Sequence, residues 1–147
     1  MLEQSLNGMR IAILGCKQVR ASGDDRAESG AGGGGCSHDP VSNRDGQVHG
    51  VHHDDQKGVG FLVDLTFDRA DPRDFDGVLL PGGVINADRI RMIPYAQTFV
   101  QNCDADDKPI AVICHGSWLL VSAKLVKDRT LTSWPSLRDD VENAGGT

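Results

Sequence analysis

Cys114 carries the most chemistry in this sequence. It closes the apolar run Ala111-Val112-Ile113 and is followed by His115 and Gly116. A second apolar run, Val78-Leu79-Leu80, stops in the same manner at Pro81-Gly82-Gly83. Short apolar runs ended by glycine are the pattern of buried strands that enter a tight turn. The residues after Cys114, from Ser117 to Lys124, read as a helix. A thiol at a strand-to-helix turn stands on the exposed carboxyl edge of a sheet, beside the positive end of a helix. Both circumstances favour the thiolate, the reactive form of cysteine. Cys114 is the candidate nucleophile.

Its neighbours have two readings each. Adjacent side chains point apart unless a turn forces them together, so His115 reads equally as a general base and as a structural histidine. Gly82 and Gly83 either permit a tight turn or offer backbone N–H groups to a developing oxyanion; the strand before them favours the second. Asp88 reads first as a solvated charge near a helix start. The group His49, His52, His53, Asp54 and Asp55 invites a metal reading. Its spacing matches neither an HExxH nor a Cys/His zinc pattern, so a surface loop is the better reading and no metal is expected. Cys36-Ser37-His38 is read as a coincidence of composition. The glycine run at 30–35 lacks the Gly-Lys-Ser/Thr ending of a phosphate loop, which argues against nucleotide binding. Trp118 and Trp134 read as core or interface aromatics.

The bulk properties narrow the class. The 147 residues fit one domain with one core, burying roughly two-thirds of the unfolded chain's surface. There are 15 basic against 21 acidic residues, a net charge of −6, and no basic stripe, so nucleic acid is a poor partner. No run reaches the ~18 apolar residues of a membrane span. The first eight residues have no apolar leader and are expected to be disordered; export is not indicated. The four cysteines show no CxxC spacing and no secreted-type framework, which suits a reducing cytoplasm.

The elements that must position Cys114 follow from periodicity. Residues 9–15 read as a buried first strand. Residues 16–45 are rich in Gly, Ala, Ser, Asp and Arg, with Val19 and Val41 as the only large aliphatic residues. The segment is expected to be irregular and cannot supply the helix that normally covers the first strand of an α/β sheet. Val59 to Phe67 has strand character, and residues 70–75 form a short turn into the Val78-Leu79-Leu80 strand. Pro94 opens a helix, with Ala96, Phe99, Val100 and Cys103 at i, i+3, i+4, i+7 spacing, ending near Asp104. Ile110 to Ile113 is the strand that delivers Cys114. Arg129 to Ser133 reads as another strand, and Pro135 to Ala144 as a helix closed by Gly145. The alternation predicts an α/β domain with a parallel sheet and helices on both faces.

These residues resemble the PfpI-like intracellular protease family. Its superfamily includes the Parkinson-associated deglycase/chaperone and the class I glutamine amidotransferase domains. The stretches that carry the resemblance are Gly50-Val51-His52-His53-Asp54-Asp55-Gln56-Lys57-Gly58, then 75–83, 108–120, and Arg129-Thr130-Leu131-Thr132-Ser133-Trp134-Pro135-Ser136 onward. With the first strand, the likeness covers 9–15 and about 46–147.

The resemblance implies a flavodoxin-like three-layer sandwich with Cys114 as nucleophile at a sharp elbow and His115 as the adjacent imidazole. The backbone N–H groups of Gly83 and His115 would form the oxyanion site. It carries the family's third group, an acid from a neighbouring subunit, onto Asp88, with a one-residue gap and a shorter side chain. It also implies self-association as dimers or higher oligomers, with no organic cofactor or metal.

Two departures stand out. The family's acidic loop after the first strand, whose glutamate hydrogen-bonds the cysteine sulfur, is replaced by Cys16-Lys17-Gln18-Val19-Arg20-Ala21. The family also continues beyond Thr147 with further strand and a closing helix. The texture of 16–44 is that of a GC-rich gene read out of frame, which translation of the coding DNA in three frames would test. Ser117 stands where the family usually has proline, a mild change. The expected function is a cysteine-nucleophile hydrolase of peptidase or glyoxalase/deglycase type, acting on a small carbonyl compound or a peptide. The alternative is a non-catalytic member, at most redox-sensitive through its thiol.

Overall fold

The computed structural model describes residues 8–16, 18–20, 36–52 and 56–147. Residues 1–7, the glycine run at 30–35, Glu3, Glu28, His53, Asp54 and Asp55 lie outside the described residues. The strands are β1 (Arg10–Leu14), β2 (Gln18–Arg20), β3 (Ser37–Ser42), β4 (Gln47–His52), β5 (Gln56–Leu62), β6 (Leu65–Thr66), β7 (Gly77–Leu80) and β8 (Ile110–Val112). The helices are α1 (Val84–Ile90), α2 (Pro94–Ala105), α3 (Ser117–Ser122) and α4 (Arg138–Asn143).

The main sheet is parallel throughout, in the order β6-β3-β1-β7-β8. β1 and β7 are apolar without alternation, because a parallel sheet is covered on both faces. Ala12, Leu14, Val78 and Leu80 are buried in one cluster with Phe75, Ile90, Phe99, Val100 and Leu119. The helix predicted from Pro94 is α2, and its four predicted apolar positions, Ala96, Phe99, Val100 and Cys103, are its buried face. The turn before β7 is a single 3-10 turn, Pro72–Asp74, capped by the Asp71 side chain.

The described residues of the 16–45 segment, 16, 18–20 and 36–45, differ from expectation. They supply β3, the neighbour of β1 in the main sheet, and β2, which pairs with β4. The sequence Ser-His-Asp-Pro-Val-Ser hides a strand because only Val41 carries an aliphatic side chain into the core. Pro40 is tolerated for a geometric reason. Ser37 N–H donates to Met9 O and Gly15 N–H to Val41 O, so odd-numbered residues of β3 face β1. Pro40 therefore faces the β6 side, where pairing begins only at Val41↔Leu65, and its missing N–H leaves no gap in the ladder.

Three further expectations are corrected. The single strand over 59–67 is two, β5 and β6, in different sheets; the β4–β5 hairpin leaves the main sheet after β3 and the chain returns as β6. His49 and His52 thus sit on a strand of the three-stranded sheet β2-β4-β5, not in a loop. The strand expected at 129–133 does not form. Its backbone makes one rung, Thr147 N–H to Arg129 O and Leu131 N–H to Thr147 O, both 2.9 Å. A cleft of about 300 Å³, lined by Ile110, Val112, Leu120, Leu125 and Leu131, separates it from β8.

β8 is consequently the edge of the main sheet, with Ile110 and Val112 half-buried and Ala111 exposed. Apolar surface left uncovered forgoes about 25 cal/mol per Å², in a domain held by only ~5–15 kcal/mol. Thermal unfolding followed by circular dichroism is expected to have its midpoint below about 50 °C, the low end for mesophilic domains. A cooperative transition well above that temperature would show that the open edge costs little.

Candidate active site

The site is assembled by the register of β7 and β8. Val78 lies opposite Ile110, Leu79 opposite Ala111 and Leu80 opposite Val112, and Ile113 N–H donates to Leu80 O at 3.0 Å. The two strands therefore end level with each other. Pro81-Gly82-Gly83 leaves one, and Cys114-His115-Gly116 leaves the other as a 3-10 turn closed by Gly116 N–H to Ile113 O.

Cys114 has φ 57, a left-handed conformation that a non-glycine residue adopts only under constraint. The constraint is the crowding of two turns. A Cβ on Gly116 would stand 2.7 Å from Leu80 O, and one on Gly82 would stand 2.9 Å from the Cys114 Cβ. Glycine at both positions lets the corners meet, and the cysteine absorbs the strain. Gly83, with φ 103, then opens α1.

This turn settles the orientation of His115. Its Nδ1 is 3.2 Å from the Cys114 Sγ, so adjacent residues do face each other here. The imidazole is bracketed by two tryptophans. Trp134 stacks on it, with ring centroids 5.7 Å apart at 25°, and Trp118 meets it edge-on at 5.6 Å. Trp134 N–H donates to Cys114 O at 3.1 Å, tying the loop to the elbow. Trp118 Nε1 donates to Asp140, while the Arg91 guanidinium lies 5.0 Å from the Trp118 ring centroid and donates to Ser122 Oγ. Within the chain both tryptophans wall the site rather than fill the core, and Trp134 is 44 % exposed. Ser117, at the proline position of the resemblance, is fully buried, and its Oγ donates to Cys114 O at 3.4 Å.

Cys114, His115 and Gly82 thus come together, with Gly83 next in the chain. Asp88 lines a separate cleft within this chain. It lies on the exposed face of α1, in a cleft lined by Cys16, Asn43, Arg44, Arg89 and Met92 that includes neither Cys114 nor His115. Among the described residues no group of three His, Cys, Asp or Glu could hold a metal. One residue escaped the sequence reading altogether. Asn86 on α1 is buried and hydrogen-bonded to the chain at both strand ends. A polar residue four positions before Ile90, on the same helical face, was the available signal.

The other three cysteines differ from Cys114. Cys16, Cys36 and Cys103 are buried, whereas Cys114 is partly exposed. Desolvation pushes the thiols of Cys16 and Cys103 up to about 11 and raises that of Cys36. Iodoacetamide near pH 8 is expected to modify Cys114 in the native protein and Cys16 and Cys103 only after unfolding, as read by peptide mass spectrometry.

The raised thiols also set an alkaline limit. Native Cys16 and Cys103 keep their protons to about 11, whereas the unfolded chain releases them from 9.0. Between those values the unfolded state binds fewer protons, so stability falls as pH rises. Denaturant midpoints should be level below pH 9 and decline from pH 9 to 11. Gly116→Ala is expected to cost about 1–3 kcal/mol in the same measurement, because its methyl meets backbone that cannot yield.

Comparison with known proteins agrees with this fold. The DJ-1/PfpI family matches residues 27–147. Deglycase PH1704 of Pyrococcus horikoshii is 39% identical over 100 residues, which are 68% of this chain and 57% of that protein. Protein/nucleic acid deglycase 2 of Escherichia coli is 39% identical over 83 residues, covering 56% of this chain and 48% of its own length. The chain therefore spans only about half the length of these curated relatives. In structure, a ThiJ/PfpI domain protein from Brachyspira murdochii superposes with a TM-score of 0.85 at 18% identity, over 94% of this chain and 77% of that one. Schizosaccharomyces pombe DJ-1 gives 0.73 at 19% identity, over 94% and 74%. The sheet order and its helices are those of the flavodoxin-like α/β neighbours, and the chain belongs to the DJ-1/PfpI family.

Proposed function

We propose that this chain is a cysteine-dependent hydrolase of the PfpI type, with Cys114 as nucleophile and a small carbonyl compound or acyl group as substrate. The observation that carries the reading is the 3.2 Å approach of His115 Nδ1 to the Cys114 Sγ at a strained elbow. With Nδ1 unprotonated, the imidazole takes the thiol proton as sulfur bonds to the carbonyl carbon. The π pair of the C=O moves onto oxygen, and the N–H groups of Gly83 and His115, assigned by the family resemblance, would receive that charge. With an acyl substrate the imidazolium returns its proton to the departing group; with a 2-oxoaldehyde the hemithioacetal C1 proton moves to C2 through an enediol, leaving a 2-hydroxyacyl thioester. In both cases water adds to the thioester carbonyl and the C–S bond breaks, freeing the acid and the thiol. The names of the curated relatives, deglycases among them, support carbonyl adducts as the substrate class. Asp88, which lines a separate cleft within this chain, would act from a neighbouring copy, so the reading includes a homo-oligomer.

Methylglyoxal consumption tests this directly. Wild type should turn it over, Cys114→Ala should fall to the uncatalysed background, and His115→Ala should lose about 10²–10⁴-fold in kcat. Equal rates for wild type and Cys114→Ala would defeat the proposal.

A different observation supports a second reading. β8, which delivers Cys114, is an open edge with a cleft beside it. A chain with that edge can present a reactive thiol without a competent pocket. Rapid alkylation of Cys114 with no turnover would select this non-catalytic, redox-sensitive reading.

A further inference from the structure

We infer that Asn86 is a positioning residue that fixes the 81–83 corner against Cys114. The inference rests on the nucleophilic reading of Cys114 given above and adds a residue to it. Asn86 is 1% exposed, and a buried amide is costly unless its polar atoms are bonded. Its Oδ1 accepts from Cys16 N–H at 2.6 Å, and its Nδ2 donates to Pro81 O at 3.4 Å.

Those two partners belong to the ends of neighbouring strands. β1 and β7 are laddered only as far as Ile13↔Leu79. Beyond that rung β1 runs to Cys16, β7 runs to the 81–83 corner, and the strands no longer hold each other. The Asn86 side chain spans the divergence, one arm to each strand end. It does so from the first turn of α1, whose Ala87 N–H donates to Gly83 O. Asn86 thus ties the corner from both sides, through its own amide and through the helix on which it sits.

The tie matters because the corner has no slack. Gly82 packs so closely on Cys114 that even a methyl group would stand 2.9 Å from its Cβ. Moving this corner moves the N–H of Gly83 relative to the carbonyl oxygen it would serve. Misplacement by about 1 Å costs on the order of 10²-fold in rate. Sulfur alkylation by iodoacetamide develops no such oxyanion and does not depend on the corner in that way. The two reactions of one thiol therefore separate a positioning role from a structural one.

The experiment compares wild type, Asn86→Asp and Asn86→Leu in methylglyoxal turnover and in the rate of Cys114 alkylation. Asn86→Asp keeps an acceptor for Cys16 N–H and loses the donor to Pro81 O; Asn86→Leu loses both. The expected result is a fall of about 10²-fold in kcat for both variants, with KM changed little and alkylation within about 2-fold of wild type. Wild-type kcat in Asn86→Asp would overturn the inference alone. Turnover and alkylation falling together, or failure of both variants to fold, would assign Asn86 to the fold and also overturn it. Wild type without Cys114-dependent turnover would defeat the underlying reading, and this one with it.

Discussion

The site depends on the close approach of two backbone corners at the ends of β7 and β8. Parallel pairing brings Leu80 and Val112 level, so the chain must leave both strands at the same height. There is room for this only because Gly82 and Gly116 lack side chains. The left-handed Cys114, the inward turn of His115 and the tight 3-10 turn all follow from that crowding. Backbone strain at the elbow is sustained because the strands and helices around it over-determine its course.

The surrounding contacts reinforce the same corner. Trp134 N–H reaches the Cys114 carbonyl, and its ring stacks on His115, so the loop before α4 closes over the imidazole. Trp118 is held between Arg91 and Asp140. The pair of tryptophans limits how His115 can rotate, which keeps Nδ1 toward sulfur. Burial divides the cysteines in turn. Cys16 and Cys103 stay protonated because burial desolvates them, while Cys114 is partly exposed.

Much of this was legible in the chain. The runs closed by Pro81-Gly82-Gly83 and Cys114-His115-Gly116 announced two strand ends, since continuous apolar residues followed by glycine have few other uses. The period of Ala96, Phe99, Val100 and Cys103 gave α2 its buried face correctly. β3 was invisible for a physical reason: Ser-His-Asp-Pro-Val-Ser has no strand composition, and only its pairing with β1 and β6 makes it one. The run from Val59 to Phe67 looked continuous, yet it divides between two sheets, because local hydrophobicity does not record which partner a strand finds. The stretch at 129–133 has strand-forming residues but a single rung, showing that extended backbone without a neighbour is not a strand.

The sequence by itself set the candidate chemistry: a thiol beside an imidazole at the end of an apolar run, with a glycine closing the turn. Residue types and their order along the chain set such local features, and no distant contact is needed to recognise them. The tertiary structure alone decided which groups meet. His115 faces sulfur rather than away, the tryptophans wall the site instead of filling the core, and Asp88 lines a separate cleft within the chain. Asn86 joins two strand ends whose partner atoms are the backbone of residues far from it in sequence. Those outcomes depend on register and on close approach between segments, which residue order does not encode until the sheet has formed.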